Sequence, residues 1–129
     1  MILYYLPSTD PAVLALDEAT KQTVTTGELG TAVPALSLSN AVHVPVLVVV
    51  GDFDAAFCTA PSCSVSGSLN AEASFFPPDA CLETAAIAGA GHDLNLHVQA
   101  QQTYDVVLSW LDRRVGSDPR VAPTSPCQP

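Results

Sequence analysis

Two stretches of this chain set a proton-handling side chain shortly after a glycine at the end of an apolar run. Val44 to Val50 leads into Gly51-Asp52-Phe53-Asp54, and Leu82 to Ala88 leads into Gly89-Ala90-Gly91-His92. A carboxylate and an imidazole presented side by side can form an acid–base couple. The acid holds the ring in one tautomer and stabilises the imidazolium that forms when the ring takes a proton. Asp54 and His92 are therefore the candidate catalytic pair. Asp52 is the alternative acid, because the loop offers two carboxylates that spacing barely separates. A histidine flanked by glycine at a strand end is suited to a working role, whereas His97 and His43 are expected at the surface. Asp93 is expected to cap the last helix or lie near its N-terminus, where a carboxylate is favourable.

Metal chemistry fits these spacings poorly. His92, Asp93 and His97 provide no i, i+4 histidine pair, and Cys58-x4-Cys63 followed by Cys81 lacks the paired C-x2-C of a zinc site. No metal and no cofactor is expected. The four cysteines, Cys58, Cys63, Cys81 and Cys127, allow three full pairings, among which sequence does not choose. Disulfides are favoured over free thiols, and a bridge among Cys58, Cys63 and Cys81 would stiffen the loop that carries Asp54. Cysteine usage is compatible with secretion, yet Met1-Ile2-Leu3-Tyr4-Tyr5-Leu6 has no basic flank and does not read as a signal peptide. Localisation stays open.

The elements that would hold the pair follow from periodicity. Asp10 and Pro11 suit a helix start, and Val13, Leu14, Leu16 and Ala19 give a helical stripe that Gly27 or Gly30 ends. A loose segment through Asn40 follows. Pro45 to Val50 and Leu82 to Ala88 read as strands apolar throughout, buried on both faces and hence parallel. Between them Asp52 to Pro61 is loop, and Ser66 to Phe76 holds a short helix broken by Pro77-Pro78. Asn95 to Arg114 is an amphipathic helix with Val98, Tyr104, Val107, Leu108 and Leu111 on its apolar face and Arg113-Arg114 at the end where cations suit the dipole. The last segment, 116–129, has four prolines and is expected to be disordered. The resulting order is βαβα, with a right-handed crossover between parallel strands. In such sheets functional groups collect beyond the carboxyl ends of the strands, which is where Asp54 and His92 fall.

Composition narrows the partners. The 129 residues carry 4 Lys+Arg against 13 Asp+Glu, a formal charge of −9 that repels nucleic acid and anionic membranes. A hydrophobic content of 48% suffices for a packed core. The longest apolar run, Val44 to Val50, is far short of the roughly 20 residues that span a bilayer.

Taken together, these segments resemble the α/β-hydrolase superfamily. Val44-Pro45-Val46-Leu47-Val48-Val49-Val50-Gly51-Asp52-Phe53-Asp54 looks like that family's acid strand, an apolar run followed by Gly-x-x-Asp. Gly91-His92-Asp93-Leu94-Asn95-Leu96 looks like its Gly-His motif after the last strand. The early stretch from Tyr4-Tyr5-Leu6-Pro7-Ser8-Thr9-Asp10-Pro11 through Thr25-Thr26-Gly27-Glu28-Leu29 is similar to the helical lid that some bacterial members insert before the acid strand. The resemblance covers about residues 1–113 and implies an α/β fold: lid-like helices over 1–43, then the C-terminal βαβα part of a parallel sheet over 44–115. It also implies Asp54 and His92 as two members of a Ser–Asp–His triad, and a small acyl substrate in a full-length parent.

The departure from the family concerns the nucleophile. The fold carries its serine in Gly-x-Ser-x-Gly on a strand-to-helix turn, before the acid, and no such pentapeptide exists here. Ser8, Ser37 and Ser39 precede Asp54 but none sits between a buried strand and a helix, and Ser62, Ser64, Ser66 and Ser68 follow it. The oxyanion donors, which the residue after the serine and an upstream loop supply, are missing too. The chain is therefore expected to be inactive alone. Its expected role is a hydrolase portion or, as the alternative, a non-catalytic binding or interaction module that works through its lid-like helices and whose exposed sheet edge needs a partner or self-association. Ester, lipid, peptide, epoxide and haloalkane substrates all remain compatible.

Overall fold

A computed structural model describes residues 3–58, 63, 68–114 and 116. Strands β1 (Leu47–Gly51) and β2 (Glu83–Ile87) pair in parallel, with Leu47 opposite Glu83 and Gly51 opposite Ile87. The two strands thus end level, and the segments carrying Asp54 and His92 leave the sheet side by side. The first begins at Leu47 rather than Pro45 because proline has no N–H for a ladder. Val46 instead bridges, donating to Ala80 O and accepting from Glu83 N, each at 3.0 Å.

Among the described residues, four α-helices accompany the strands: α1 (Pro11–Thr20), α2 (Thr26–Leu36), α3 (Ser68–Glu72) and α4 (Ala100–Arg114). Asp10 caps α1, its Oδ1 accepting from Ala12 N at 2.7 Å. The single helix expected from Asp10 to Gly27 is in fact two. The run Thr23-Val24-Thr25 resists helix through its β-branched side chains, and Thr25 opens α2 with a reciprocal capping box to Glu28. Gly27 and Gly30 consequently lie inside α2 instead of ending α1, and the stretch expected to be loose is helical as far as Ala41, ending in a 3-10 turn. The helix expected over Ser66 to Phe76 is shorter, and that expected from Asn95 starts at Ala100 after a separate 3-10 turn, Leu94–Leu96. Apart from Gly116, the segment 116–129 lies outside the described residues.

Helix α4 packs on both strands. Its inward face is Thr103, Val106, Val107, Trp110 and Arg114, a run at helical spacing. Tyr104, Leu108 and Leu111, expected on that face, are exposed. At its end, Arg114 Nε and Arg113 Nη2 donate to Glu83 at 2.7 and 2.9 Å, fastening the helix to the start of β2. The strands are half-buried instead of covered on both faces. Among the described residues the sheet has two strands and so no inner one, and a sequence written for burial on both faces stays partly open. In α1, Val13 and Leu14 turn partly inward while Leu16 and Ala19 face solvent.

Candidate active site

The end of β1 is held against the segment after β2 by backbone. Asp52 N donates to Ile87 O at 3.0 Å, and Phe53 N to Ala90 O at 2.9 Å. Gly51 is buried, and a Cβ there would collide with the carbonyl oxygens of Ala90 and Gly91. Only glycine lets the two segments cross so closely. Gly89, at φ +74°, takes the left-handed turn that starts this crossing.

This frame brings Asp54 and His92 together. His92 Nδ1 lies 2.9 Å from Asp54 Oδ2, across 38 residues of sequence. Asp54 is 2% exposed, and its other oxygen accepts from Ala56 N at 2.8 Å and Phe57 N at 3.1 Å. A buried carboxylate without partners is costly, and here both oxygens have hydrogen-bond partners. The His92 side chain is one-third exposed and touches the Phe57 ring at 5.0 Å between centroids. Its Nε2 is engaged by no hydrogen bond among the described residues. With Nδ1–H donating to Asp54, Nε2 carries the lone pair and stands ready to accept a proton.

Asp52 has another task. Its Oδ1 accepts from Gly89 N at 2.7 Å, and its backbone O accepts from Cys63 N at 2.9 Å, so it joins the strand ends instead of facing the imidazole. Cys63 is bonded to Cys58, with Cα atoms 5.6 Å apart. That bridge closes the loop leaving Asp54, and Cys58 N also donates to Asp54 O at 3.1 Å. Cys81 is disulfide-bonded as well, and Cys127 lies outside the described residues.

His97 contradicts its expected surface position. It is 4% exposed, accepts at Nε2 from Tyr5 N and Gly91 N at 3.0 Å each, and donates from Nδ1 to Asp93 O at 2.8 Å. Residues 3–9 run alongside, which no local pattern announced. Thr9 bridges His97, Val98 N donates to Ser8 O at 3.1 Å, and Asp93 N donates to Leu3 O at 3.2 Å. Ser8 Oγ bonds Gly89 O, and the Tyr5 ring stacks on Phe53 of the acid loop at 3.9 Å. The phenol of Tyr4 is pushed up to about 12 by burial, helped by the charges of Asp17 and Asp93. It is a neutral wall at physiological pH. His43 is exposed as expected and pairs with Asp79 at 2.8 Å, while Asp93 precedes the Leu94–Leu96 turn without capping it through its side chain.

No serine hydroxyl bonds His92 among the described residues, and Ser62, Ser64 and Ser66 lie outside them. Among the described residues no cluster of three or more His, Cys, Asp or Glu side chains could hold a metal ion. No helix there is long and apolar enough to cross a membrane. Compared with known proteins, the chain matches no family model and no curated relative.

Proposed function

We propose that Asp54 and His92 are the acid and base of a Ser–Asp–His hydrolase site acting on an ester or similar acyl bond. In this reading the chain contributes two strands of an α/β-hydrolase sheet and the helical segment through residue 43 forms a lid. The nucleophile and the oxyanion donors come from outside the described residues. One observation carries the reading: a sealed, backbone-anchored carboxylate 2.9 Å from the Nδ1 of a partly exposed ring whose Nε2 is unengaged among the described residues. In turnover, Nε2 takes the hydroxyl proton as the serine oxygen attacks the carbonyl carbon, then gives it to the leaving group, and Asp54 stays ionised throughout. A water repeats the cycle on the acyl-enzyme. The exposed stripe Tyr104, Leu108 and Leu111 is what a wider sheet or its neighbouring helices would cover.

Hydrolysis of a short-chain p-nitrophenyl ester tests this reading. It is measured for the 129-residue chain and for the longest in-frame polypeptide containing it, each beside its His92→Ala variant, with circular dichroism to establish folding. The chain alone is expected to equal its variant. A serine-bearing polypeptide is expected to lose on the order of 10⁴-fold on the same substitution. Turnover by the chain alone that His92→Ala abolishes moves the nucleophile into this chain. Turnover indifferent to His92 ends the proposal.

The same exposed stripe on α4 favours a second reading, an interaction module that uses this face and the open sheet edge to hold another protein or a second copy. Concentration-dependent mass in sedimentation, with no esterase activity in any context, would support it.

A further inference from the structure

His97 takes no part in the acid–base couple, yet it grips the backbone on both sides of it. Gly91 donates to its Nε2, and Asp93 O accepts from its Nδ1. These two residues flank His92 directly. The third bond, from Tyr5 N to the same Nε2, ties the N-terminal segment to this point. Two N–H groups converging on Nε2 require its lone pair, and the Nδ1–H needed by Asp93 O supplies the matching tautomer, so the ring serves as a neutral three-way clamp. Tyr4 walls it with ring centroids 5.8 Å apart. The fit on the far side is tight. A Cβ on Gly91 would lie 2.7 Å from Tyr5 N and 2.9 Å from Leu3 O.

Resting on the reading of Asp54 and His92 as acid and base, we propose that His97 is the positioning residue of this site. By fixing the peptides before and after His92, it leaves little beyond the side-chain torsions to choose where Nδ1 goes, and those torsions place it on Asp54. The clamp also makes that placement depend on residues 3–9 being docked, because Tyr5 shares the same acceptor as Gly91. Removing an acceptor that serves one buried and one part-buried N–H leaves both without partners, so the segments they belong to must move or admit water.

Proton NMR of the full chain reads this without any need for turnover. The His92 Nδ1 proton, bonded to a buried carboxylate, should give a resolved downfield signal that exchanges slowly with water. His97→Leu keeps the bulk but no acceptor and is expected to speed that exchange about tenfold, equivalent to about 1.4 kcal/mol of lost anchoring. His97→Gln offers a carbonyl oxygen near the position of Nε2 and is expected to recover most of the protection. Ile87→Val loosens the core at the end of β2 without touching the clamp, and should leave the exchange near wild type. An unchanged signal in folded His97→Leu overturns the proposal, as does an equal effect of Ile87→Val. Should His97→Leu fail to fold, a folded His97→Gln that loses the protection overturns it and one that keeps it supports it. A wild-type chain with no such signal overturns the acid–base couple itself, and the positioning role with it.

Discussion

Asp54 and Asp52 stand two residues apart and hold different things, which a pair of substitutions can separate. In Asp54→Asn the amide can present N–H to His92 Nδ1, which turns the ring to the tautomer with Nε2–H and removes the base. A serine-bearing polypeptide should then lose on the order of 10⁴-fold in kcat with little change in stability. Asp52→Asn keeps a carbonyl oxygen for Gly89 N–H and should retain activity near wild type, whereas Asp52→Ala strands that donor and should cost about 1.5 kcal/mol in urea denaturation. If Asp52→Asn proves the more damaging to activity, the acid has been misassigned. Gly91→Ala probes the crossing itself. Its new methyl meets the backbone of Tyr5 and Leu3, neither of which can yield as a flexible side chain would, and a loss of about 2 kcal/mol is expected.

At the scale of elements, α4 depends on its grip on β2. Burial alone would raise the Glu83 carboxyl, but hydrogen bonds and charge from Arg114 and Arg113 outweigh it and hold the group below its ordinary value. A carboxyl with a depressed folded-state pKa stabilises the fold above its unfolded pKa, and that contribution is lost as pH falls through the folded value. Melting temperature should therefore drop on acidification below the ordinary carboxylate range, and the Glu83→Gln variant should show a shallower drop over the same window. Equal slopes would mean that the ion pairs contribute nothing. The helix face matters too. Trp110 faces the strands while Tyr104, Leu108 and Leu111 face out, so the apolar surface of α4 extends beyond what this sheet can cover.

For the molecule as a whole, the consequence is an apolar surface with no cover among the described residues. Leu108 is 57% exposed and Leu38 69%, and both edges of the two-stranded sheet lack a further strand there. The isolated chain is expected to bind a hydrophobic dye such as ANS. Leu108→Gln should reduce that binding and any self-association while changing stability by no more than about 0.5 kcal/mol, as substitutions at exposed positions usually do. A large loss of stability in Leu108→Gln would show that this side chain is packed against something. Covering this surface is common to both readings of the protein, and the ester assay distinguishes them.

Local pattern was enough for a good part of this protein. The apolar runs ending in Gly51 and near Gly89, the cap at Asp10 and the cation-rich end of α4 are short-range signals, and they determined two parallel strands with helices before, between and after, whereas the capping box at Thr25 that splits the first helix in two was missed. They also put Asp54 and His92 at strand ends. What they could not decide was which side chain meets which, because that depends on register and on contacts across tens of residues. Asp54 was preferred over Asp52 by spacing that barely separates them, until the level strand ends set Asp52 against Gly89 N and Asp54 against His92. The inward face of α4 was misread because an apolar residue signals burial whether or not a partner is there to bury it. His97 was invisible as a clamp for the same reason: its three partners are backbone groups at Tyr5, Gly91 and Asp93, which carry no sequence signature and converge only when the N-terminal segment folds back onto the loop.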